Sequence, residues 1–227
     1  MAATIGNRIT DLIGSDYSSI PANSKADLIN AAINEIADML PAELLLKYAV
    51  NPQDLDESTT TWTTVEGKKV LLVTRLDDSS PRLARECRAV SIQDFEKAKD
   101  SASIYYATKH TPVYAYITDA GNTALTILPE PIVHEDVKVY YFAYLTSDQA
   151  GSTAITGFPA EAHQAVVLKA SINILQSYIS DFVQDEEDQE MQAMINGQIQ
   201  SLGALYTVEI NRFKQPEATT SSSYRRD

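Results

Sequence analysis

The chain has 227 residues with 18 basic and 31 acidic side chains, which gives a formal net charge of −13 at pH 7. Hydrophobic residues make up 44% and charged residues 22%, a balance that is typical of globular proteins and excludes collagen-like and wholly disordered chains. The acidic charge disfavours general binding to the nucleic-acid backbone. Cys87 is the one cysteine, so an intrachain disulfide is excluded, and no apolar run reaches the roughly 20 residues of a membrane span. We therefore expect a soluble intracellular product without a secretory signal.

Residues 1–58 are predicted to be mainly helical. The first twenty residues predict a short helix and a loop. A longer helix is predicted to begin near Ser24, which together with Asp27 resembles a capping box. Its apolar residues recur every four positions, at Leu28, Ala32, Ile36 and Leu40. Pro41 is expected to end this helix and to begin a second one over residues 42–49.

Residues 59–146 predict an antiparallel β-rich insertion. Two stretches, 59–65 and 70–75, are rich in β-branched side chains and predict strands on either side of a turn that contains Gly67. Between these strands and the next pair, residues 91–99 predict a short helix with exposed charges.

A hairpin and a long strand complete the predicted sheet. Residues 112–118 and 123–128 predict strands around the turn 119–122, where Gly121 suits a positive φ. Residues 137–145 carry apolar or aromatic side chains on both faces. We therefore expect this last strand to lie in the middle of a sheet or to be covered on both sides.

Residues 147–212 predict a helical hairpin that packs on the N-terminal helices. After Pro159, one apolar seam advances in steps of three and four residues, through Ala165, Leu168, Ile172, Leu175, Ile179 and Phe182. A second amphipathic helix is marked by Met191, Ile195, Ile199, Leu202 and Tyr206. Residues 213–227 predict an extended tail that cannot bury a core. The predicted fold class is α+β, with a helical bundle formed by the N- and C-terminal helices and an inserted antiparallel β-sheet region.

The sequence contains no motif that is typical of an enzyme or of a cofactor site. Dinucleotide-binding, Walker-type and nucleophile-elbow glycine patterns are all missing. The three histidines, His110, His134 and His163, are far apart, and the acidic runs lack the spacing of a calcium loop. We therefore expect no catalytic residue, no metal and no cofactor. Cys87 is interpreted as a half-buried structural residue.

Three patterns leave alternatives open. Basic residues gather between Arg75 and Arg88, and we interpret them as soluble loop charges. An enzyme hypothesis rests only on the proximity in sequence of Asp77, Asp78, Arg82, Arg85 and His110. Twelve tyrosines against five phenylalanines is a skewed ratio, and many of the tyrosines fall in the sheet region. This excess indicates either a tyrosine-rich core or a partly wet interface of an interaction protein.

The order of several stretches carries a resemblance to a known group of proteins. These stretches are E-C-R-A-V at 86–90, S-I-Y-Y-A-T at 103–108, T-P-V-Y at 111–114, L-T-I-L-P at 125–129 and V-Y-Y at 139–141. The most recognisable is I-T-G-F-P-A-E-A at 155–162, which opens into a long alanine-rich helix. Over residues 24–210 the chain resembles the head–tail connectors, or adaptor and neck proteins, of tailed-bacteriophage virions.

The resemblance implies a non-enzymatic structural protein that is made in the cytoplasm of the host bacterium and located at the neck of the virion. It implies a homo-oligomeric ring, typically a dodecamer, that joins the portal protein to tail or neck proteins, with no membrane. Genomic DNA is expected to pass through the lumen without specific binding. The C-terminal segment is implied to dock on the portal, and its candidate interface residues are Phe213, Lys214, Gln215, Pro216, Tyr224, Arg225 and Arg226. The alternative is a tail-completion or baseplate component of the virion.

Overall fold

The structure is a computed structural model that describes residues 3–49, 52–56, 59–77, 81–119, 121–132, 136–182 and 189–214. The described residues form the α-helices α1 (Ile5–Ile13), α2 (Ala22–Met39), α3 (Ala42–Leu46), α4 (Ile92–Lys99), α5 (His163–Phe182) and α6 (Gln189–Lys214). The strands are β1 (Gln53–Leu55), β2 (Thr61–Trp62), β3 (Lys68–Leu76), β4 (Ala84–Glu86), β5 (Arg88–Ala89), β6 (Val113–Asp119), β7 (Asn122–Leu128) and β8 (Val137–Ala143). Within the described ranges, none of the helices is both long and apolar enough to cross a membrane.

The predicted α+β class is confirmed, because helices lie at both ends of the chain and strands in the middle. The chain divides into two compact units, one of residues 1–41, 146–155 and 160–227, and one of residues 42–145 and 156–159. The N-terminal segment of the first unit ends at Pro41. Helix α3 and strand β1 belong to the second unit, where α3 contacts β3 and β8 and where β1, which was not predicted, pairs with β8.

The helical unit is built around α5. This helix packs against α1, α2 and α6. The predicted seam is buried at Ala165, Leu168, Ile172 and Leu175, and side chains on other faces are buried as well, at Val166, Val167, Ala170 and Ile174. An apolar helix with few charges is stable in water only when it is covered on most sides, and α5 meets that condition through its three neighbours.

The first helix is fixed at its beginning by a cap and by a backbone contact. Thr4 Oγ1 accepts a hydrogen bond from the Asn7 backbone N–H at 3.2 Å, which satisfies a free helix donor. The Gly6 N–H donates to the carbonyl oxygen of Ala150 at 2.8 Å. A Cβ on Gly6 would lie 3.0 Å from that oxygen, so the close approach requires glycine. The helix buries every fourth residue on α5, at Ile5, Ile9 and Ile13.

The second helix begins earlier than predicted. The Lys25 N–H donates to the carbonyl oxygen of Pro21 at 3.1 Å, so the first turn already includes Ser24. The predicted capping role of Ser24 is therefore wrong, and the cap position is Pro21, without a side-chain hydrogen bond. The predicted end at Pro41 is confirmed, since Leu40 is the C-cap residue of α2. The following helix α3 is shorter than the predicted residues 42–49.

The second unit contains two four-stranded sheets, in the orders β1-β8-β3-β4 and β2-β7-β6-β5. All pairs are antiparallel, as predicted, except the short parallel pair of β5 and β6. Both sheets contribute to one core of Leu55, Trp62, Val65, Val73, Cys87, Leu125, Ile127, Val137 and Val139. A smaller core joins α4 to the second sheet, through Phe95, Ala98, Ala107, Val113 and Ala115.

The hairpin of β6 and β7 and the central position of β8 were predicted, and the partner of β2 was not. The hairpin of β6 and β7 is confirmed, with Asp119 opposite Asn122 and Gly121 at a φ of +88°. The central position of β8 is confirmed, since it pairs with both β1 and β3. The strands on either side of Gly67 do not belong together, because β2 pairs with β7 and β3 pairs with β8. β2 has only two residues, so its own pattern could not assign its partner.

Coverage of β8 on both sides is also confirmed. Val137 and Val139 are buried in the core between the sheets, and Phe142 is buried on the opposite face against Phe158, with 6.0 Å between the ring centroids. Tyr141 packs against the same core as Val137 and Val139, and Ala143, the last residue of the strand, is exposed. The pairing of β3 with β8 shifts register near Leu72, because β3 has one extra residue at this point.

Candidate interaction surfaces

The residues of the enzyme hypothesis are brought together only in part, and their contacts are structural. Asp77 is fully buried, and its Oδ2 accepts a hydrogen bond from Arg85 Nε at 2.9 Å. Its Oδ1 accepts from the Leu83 backbone N–H at 3.0 Å, and His110 Nδ1 lies 4.0 Å from Oδ2. Both carboxylate oxygens therefore hold the loop between β3 and β4. Arg82 is exposed, and Asp78 lies outside the described residues.

Two predictions about single residues have different outcomes. Cys87 is structural as predicted but more buried than expected, and burial raises the pKa of its thiol to about 12. The interpretation of Arg75 as a loop charge is wrong. Its side chain is buried and donates to the carbonyl oxygens of Leu76 and Glu130, each at 3.3 Å. Burial is possible because the guanidinium finds backbone acceptors in place of water.

Metal ligation finds no geometric support within the described ranges. No group of three or more histidine, cysteine, aspartate or glutamate side chains is placed there to hold an ion. His163 is largely buried at the start of α5, and burial and the nearby charge of Arg8 lower its pKa. His134 and the acidic run 185–188 lie outside the described residues.

The tyrosines divide between the two alternatives. Tyr105, Tyr106 and Tyr116 are exposed, as an interface would require. Tyr141 is half-buried and packs on Trp62 with 5.0 Å between the ring centroids, as a core would require. The excess of tyrosine therefore has two origins, and only the exposed group is available to a partner.

The predicted docking residues fall mostly beyond the described chain. Phe213 is half-buried in the last turn of α6, and Lys214 is the last helical residue. The helix thus continues two residues past the predicted start of the tail. The remaining candidates, Gln215, Pro216, Tyr224, Arg225 and Arg226, lie outside the described residues.

The solvent-facing side of α6 was not predicted from the sequence. One side of this helix packs on α5 through Ile195, Leu202 and Ile210, which are buried. Four large apolar side chains of the helix are exposed, namely Met191 (41%), Met194 (68%), Leu205 (52%) and Val208 (63%), although the Met191 sulfur also lies 4.0 Å from the Tyr178 hydroxyl of α5. We call these four residues the outer face of α6. Met191 was predicted in the packed seam, and it is exposed because it lies in the first turn of the helix.

A charge pattern could have revealed this outer face from the sequence. Residues 191–208 contain eighteen residues without one Asp, Glu, Lys or Arg. A stretch of that length would carry about four charges at the average of 22% for this chain. Depletion of charge and enrichment of methionine are typical of the core of a protein interface. The outer face of α6 therefore has the chemistry of a surface that another protein covers.

A second exposed apolar group lies in the loop after α4. Ile104 is 91% exposed, and Tyr105 and Tyr106 are exposed beside it. The loop is held by its own hydrogen bonds, among them Ser103 N–H to Asp100 O at 2.9 Å and Ala107 N–H to Ala98 O at 3.0 Å. We call residues 104–106 the apolar tip. Its side chains are presented on fixed backbone, which lowers the entropy cost of binding a partner.

An apolar groove lies in the helical unit. It has a volume of about 360 Å³ between α1, α2 and α5. Its floor is formed by Ile9, Ile13, Ile29 and Ile174, and Asp16 and Lys25 lie at its rim. Such a recess suits an apolar side chain, and its polar groups do not form a catalytic arrangement.

Comparison with known proteins supplies the identity of the chain. A family model described as SU10 adaptor protein matches residues 2–223. No curated protein matches the chain. The family match extends over the whole stretch on which the resemblance to head–tail connectors rests. The chain belongs to the SU10 adaptor protein family and is a phage head–tail adaptor.

Proposed function

We propose that this adaptor is a non-enzymatic ring subunit that joins the portal to the tail at the neck of the virion, with twelve copies in the ring. The observation that carries the proposal is the outer face of α6, because a long helix with an uncharged apolar side requires a protein partner. Repeated copies of one chain in a closed ring can cover such a face on every subunit.

The net charge supports a role in lining the DNA exit channel. The chain carries a charge of −13, so a ring of identical copies is strongly acidic. Like charges repel, and an acidic ring lets the DNA backbone pass without being held. The proposed contact with genomic DNA is therefore passage without specific binding.

The C-terminal segment is the proposed portal-docking element. Residues 213–227 contain Phe213 and Tyr224 as aromatic anchors and Arg225 and Arg226 as paired cations. Aromatic and arginine side chains are the residue types that contribute most to protein interfaces.

Light scattering tests the ring and the docking segment together. The purified chain is measured alone and mixed with the portal ring of the same phage. We expect a species of about 300 kDa, twelve times the 25.0 kDa of one chain, or a gain of that mass on the portal. A chain that ends at Lys214 should lose the portal complex. In the matched control, residues 215–227 are replaced by a glycine–serine segment of equal length, and it should lose the complex equally. A monomer that is indifferent to the portal would overturn the proposal.

A further inference from the structure

Two exposed apolar surfaces on this chain differ in shape, and neither contains a charged residue, although Lys97 Nζ lies 5.6 Å from the ring centroid of Tyr105 in the apolar tip. The outer face of α6 is a strip along a rigid helix, with the small residues Gly197, Ser201 and Ala204 exposed between its large ones. The apolar tip is a protrusion of three residues, headed by Ile104. A strip with small residues in the middle can receive a protruding side chain, so the two surfaces are complementary.

Ring symmetry requires two different surfaces of this kind. In a ring of more than two identical copies, each contact is heterologous, so one patch on a subunit meets a different patch on its neighbour. A self-complementary patch would close a dimer and stop. Seven of the twelve large apolar side chains that are exposed in the described part of the chain belong to the strip and the tip. The chain therefore offers one pair of apolar surfaces that suits a heterologous contact.

We propose that the apolar tip, residues 104–106, of one copy packs on the outer face of α6 of the next copy in the ring. The partner that covers the outer face of α6 is thus a second copy of this chain. This inference rests on the proposed ring and adds the residues that join its subunits. Ile104 lies over the small residues of the strip, and Met194 and Leu205 flank it.

The size of the strip favours a ring neighbour over an isolated dimer. Eighteen helical residues are about 27 Å long, and a strip about 10 Å wide offers about 270 Å². Two such surfaces bury about 540 Å² in total, well below the roughly 1,200 Å² of a stable pair. A closed ring uses the contact twice on every copy and adds its other contacts. We therefore expect no long-lived dimer of the free chain.

Charge reversal tests the pairing. Met194→Glu and Ile104→Lys each place a charge in the apolar contact, and each should lower the yield of rings at least about tenfold. The double variant should recover much of the yield, because the two charges then face each other across the contact. Both positions are largely exposed, so the free chain should fold as before. The matched controls are Asn196→Glu, on the opposite side of α6, and Ser101→Lys, and both should form rings normally.

Disulfide crosslinking tests the same contact without changing its charge. Chains with Ile104→Cys are mixed with chains that carry Met194→Cys, and the portal-assembled rings are treated with oxidised glutathione. We expect covalent dimers that contain one chain of each kind. A chain that carries both cysteines should give a ladder whose last step counts the copies in the ring. The native Cys87 is buried and should not react.

The outcomes separate the inference from the proposed function. Rings that form normally with Met194→Glu, or that give no crosslink, would overturn the pairing and leave the ring itself intact. A crosslink from Met194→Cys to the portal protein would also overturn it. If the unaltered chain forms no ring at all, the proposed function fails, and the pairing fails with it.

Discussion

Helices α5 and α6 form one hairpin and have almost the same chemistry, but their surroundings differ. Between residues 163 and 180, α5 has one charged side chain, Lys169, and α6 has none between residues 191 and 208. Helix α5 is covered by α1, α2 and α6, whereas α6 packs mainly on α5. Equal lack of charge with unequal burial supports the proposal that α6 has a partner outside its own chain. Under that proposal, α5 is apolar for folding and α6 is apolar for assembly.

A pair of matched charge insertions should give the largest difference between the two helices. Ser171 in α5 is fully buried, and its Oγ donates to Val167 O at 2.7 Å, whereas Thr207 in α6 is exposed and donates to Gly203 O at 2.8 Å. Ser171→Asp should lower the free energy of unfolding by about 4 kcal/mol or more, because a carboxylate is buried without a partner. Thr207→Asp should lower it by less than about 0.5 kcal/mol. Urea denaturation at pH 7 measures both, and equal losses would contradict the comparison.

Leucine truncation should give the next largest difference. Leu175 is fully buried in α5, and Leu205 is half-exposed in α6. Leu175→Ala should lower the free energy of unfolding by about 2–5 kcal/mol, since it leaves a cavity. Leu205→Ala should lower it by less than about 1 kcal/mol and should weaken ring formation instead. Denaturation and light scattering on the same two proteins measure both effects. If the Leu205→Ala chain forms stable rings, Leu205 has no role in assembly. If that chain is unfolded, Leu205 has a role in folding instead.

A smaller effect is expected from pH, through His163 at the start of α5. The pKa of His163 is lowered in the folded chain, first by burial and then by Arg8. The unfolded chain therefore takes up the proton first, and the free energy of unfolding should fall as the pH drops below the ordinary value of 6.5. Thermal unfolding at pH 7.5, 6.5 and 5.5 should show a steeper loss for the unaltered chain than for His163→Gln. Parallel curves would show that His163 does not contribute.

Much of the fold could be predicted from local sequence patterns, but the pairing of distant strands in the second unit could not. The steps of three and four residues in α5 and the glycine turn of the β6–β7 hairpin are local signals, and both predictions are confirmed. The pairing of β1 with β8 joins residues far apart along the chain, and strands of two or three residues carry too little periodicity to assign a partner. The burial of Arg75 depends on the carbonyl oxygen of Glu130, which no nearby sequence signal predicts.

The candidate surfaces were less predictable than the fold, for a related reason. Periodicity shows that a helix has an apolar side. How many sides of the helix are covered by other elements of the same chain depends on tertiary packing. The apolar pattern of α6 therefore predicted a packed seam and not a second, exposed side. Similarly, Asp77 and Arg85 are close in sequence and lie near His110 in space, yet the hydrogen bonds of Asp77 to Leu83 and Arg85 show a structural role.

Methionine oxidation tests most directly whether assembly covers the outer face of α6. The side chains of Met191 and Met194 are exposed in the free chain and report solvent access at two points on the helix. Met39, which contacts the Tyr206 hydroxyl through its sulfur at 3.6 Å, serves as the internal reference. Peroxide should oxidise Met191 and Met194 readily in the free chain and at least about five times more slowly in rings on the portal, relative to Met39. Unchanged rates in rings of confirmed mass would contradict the account.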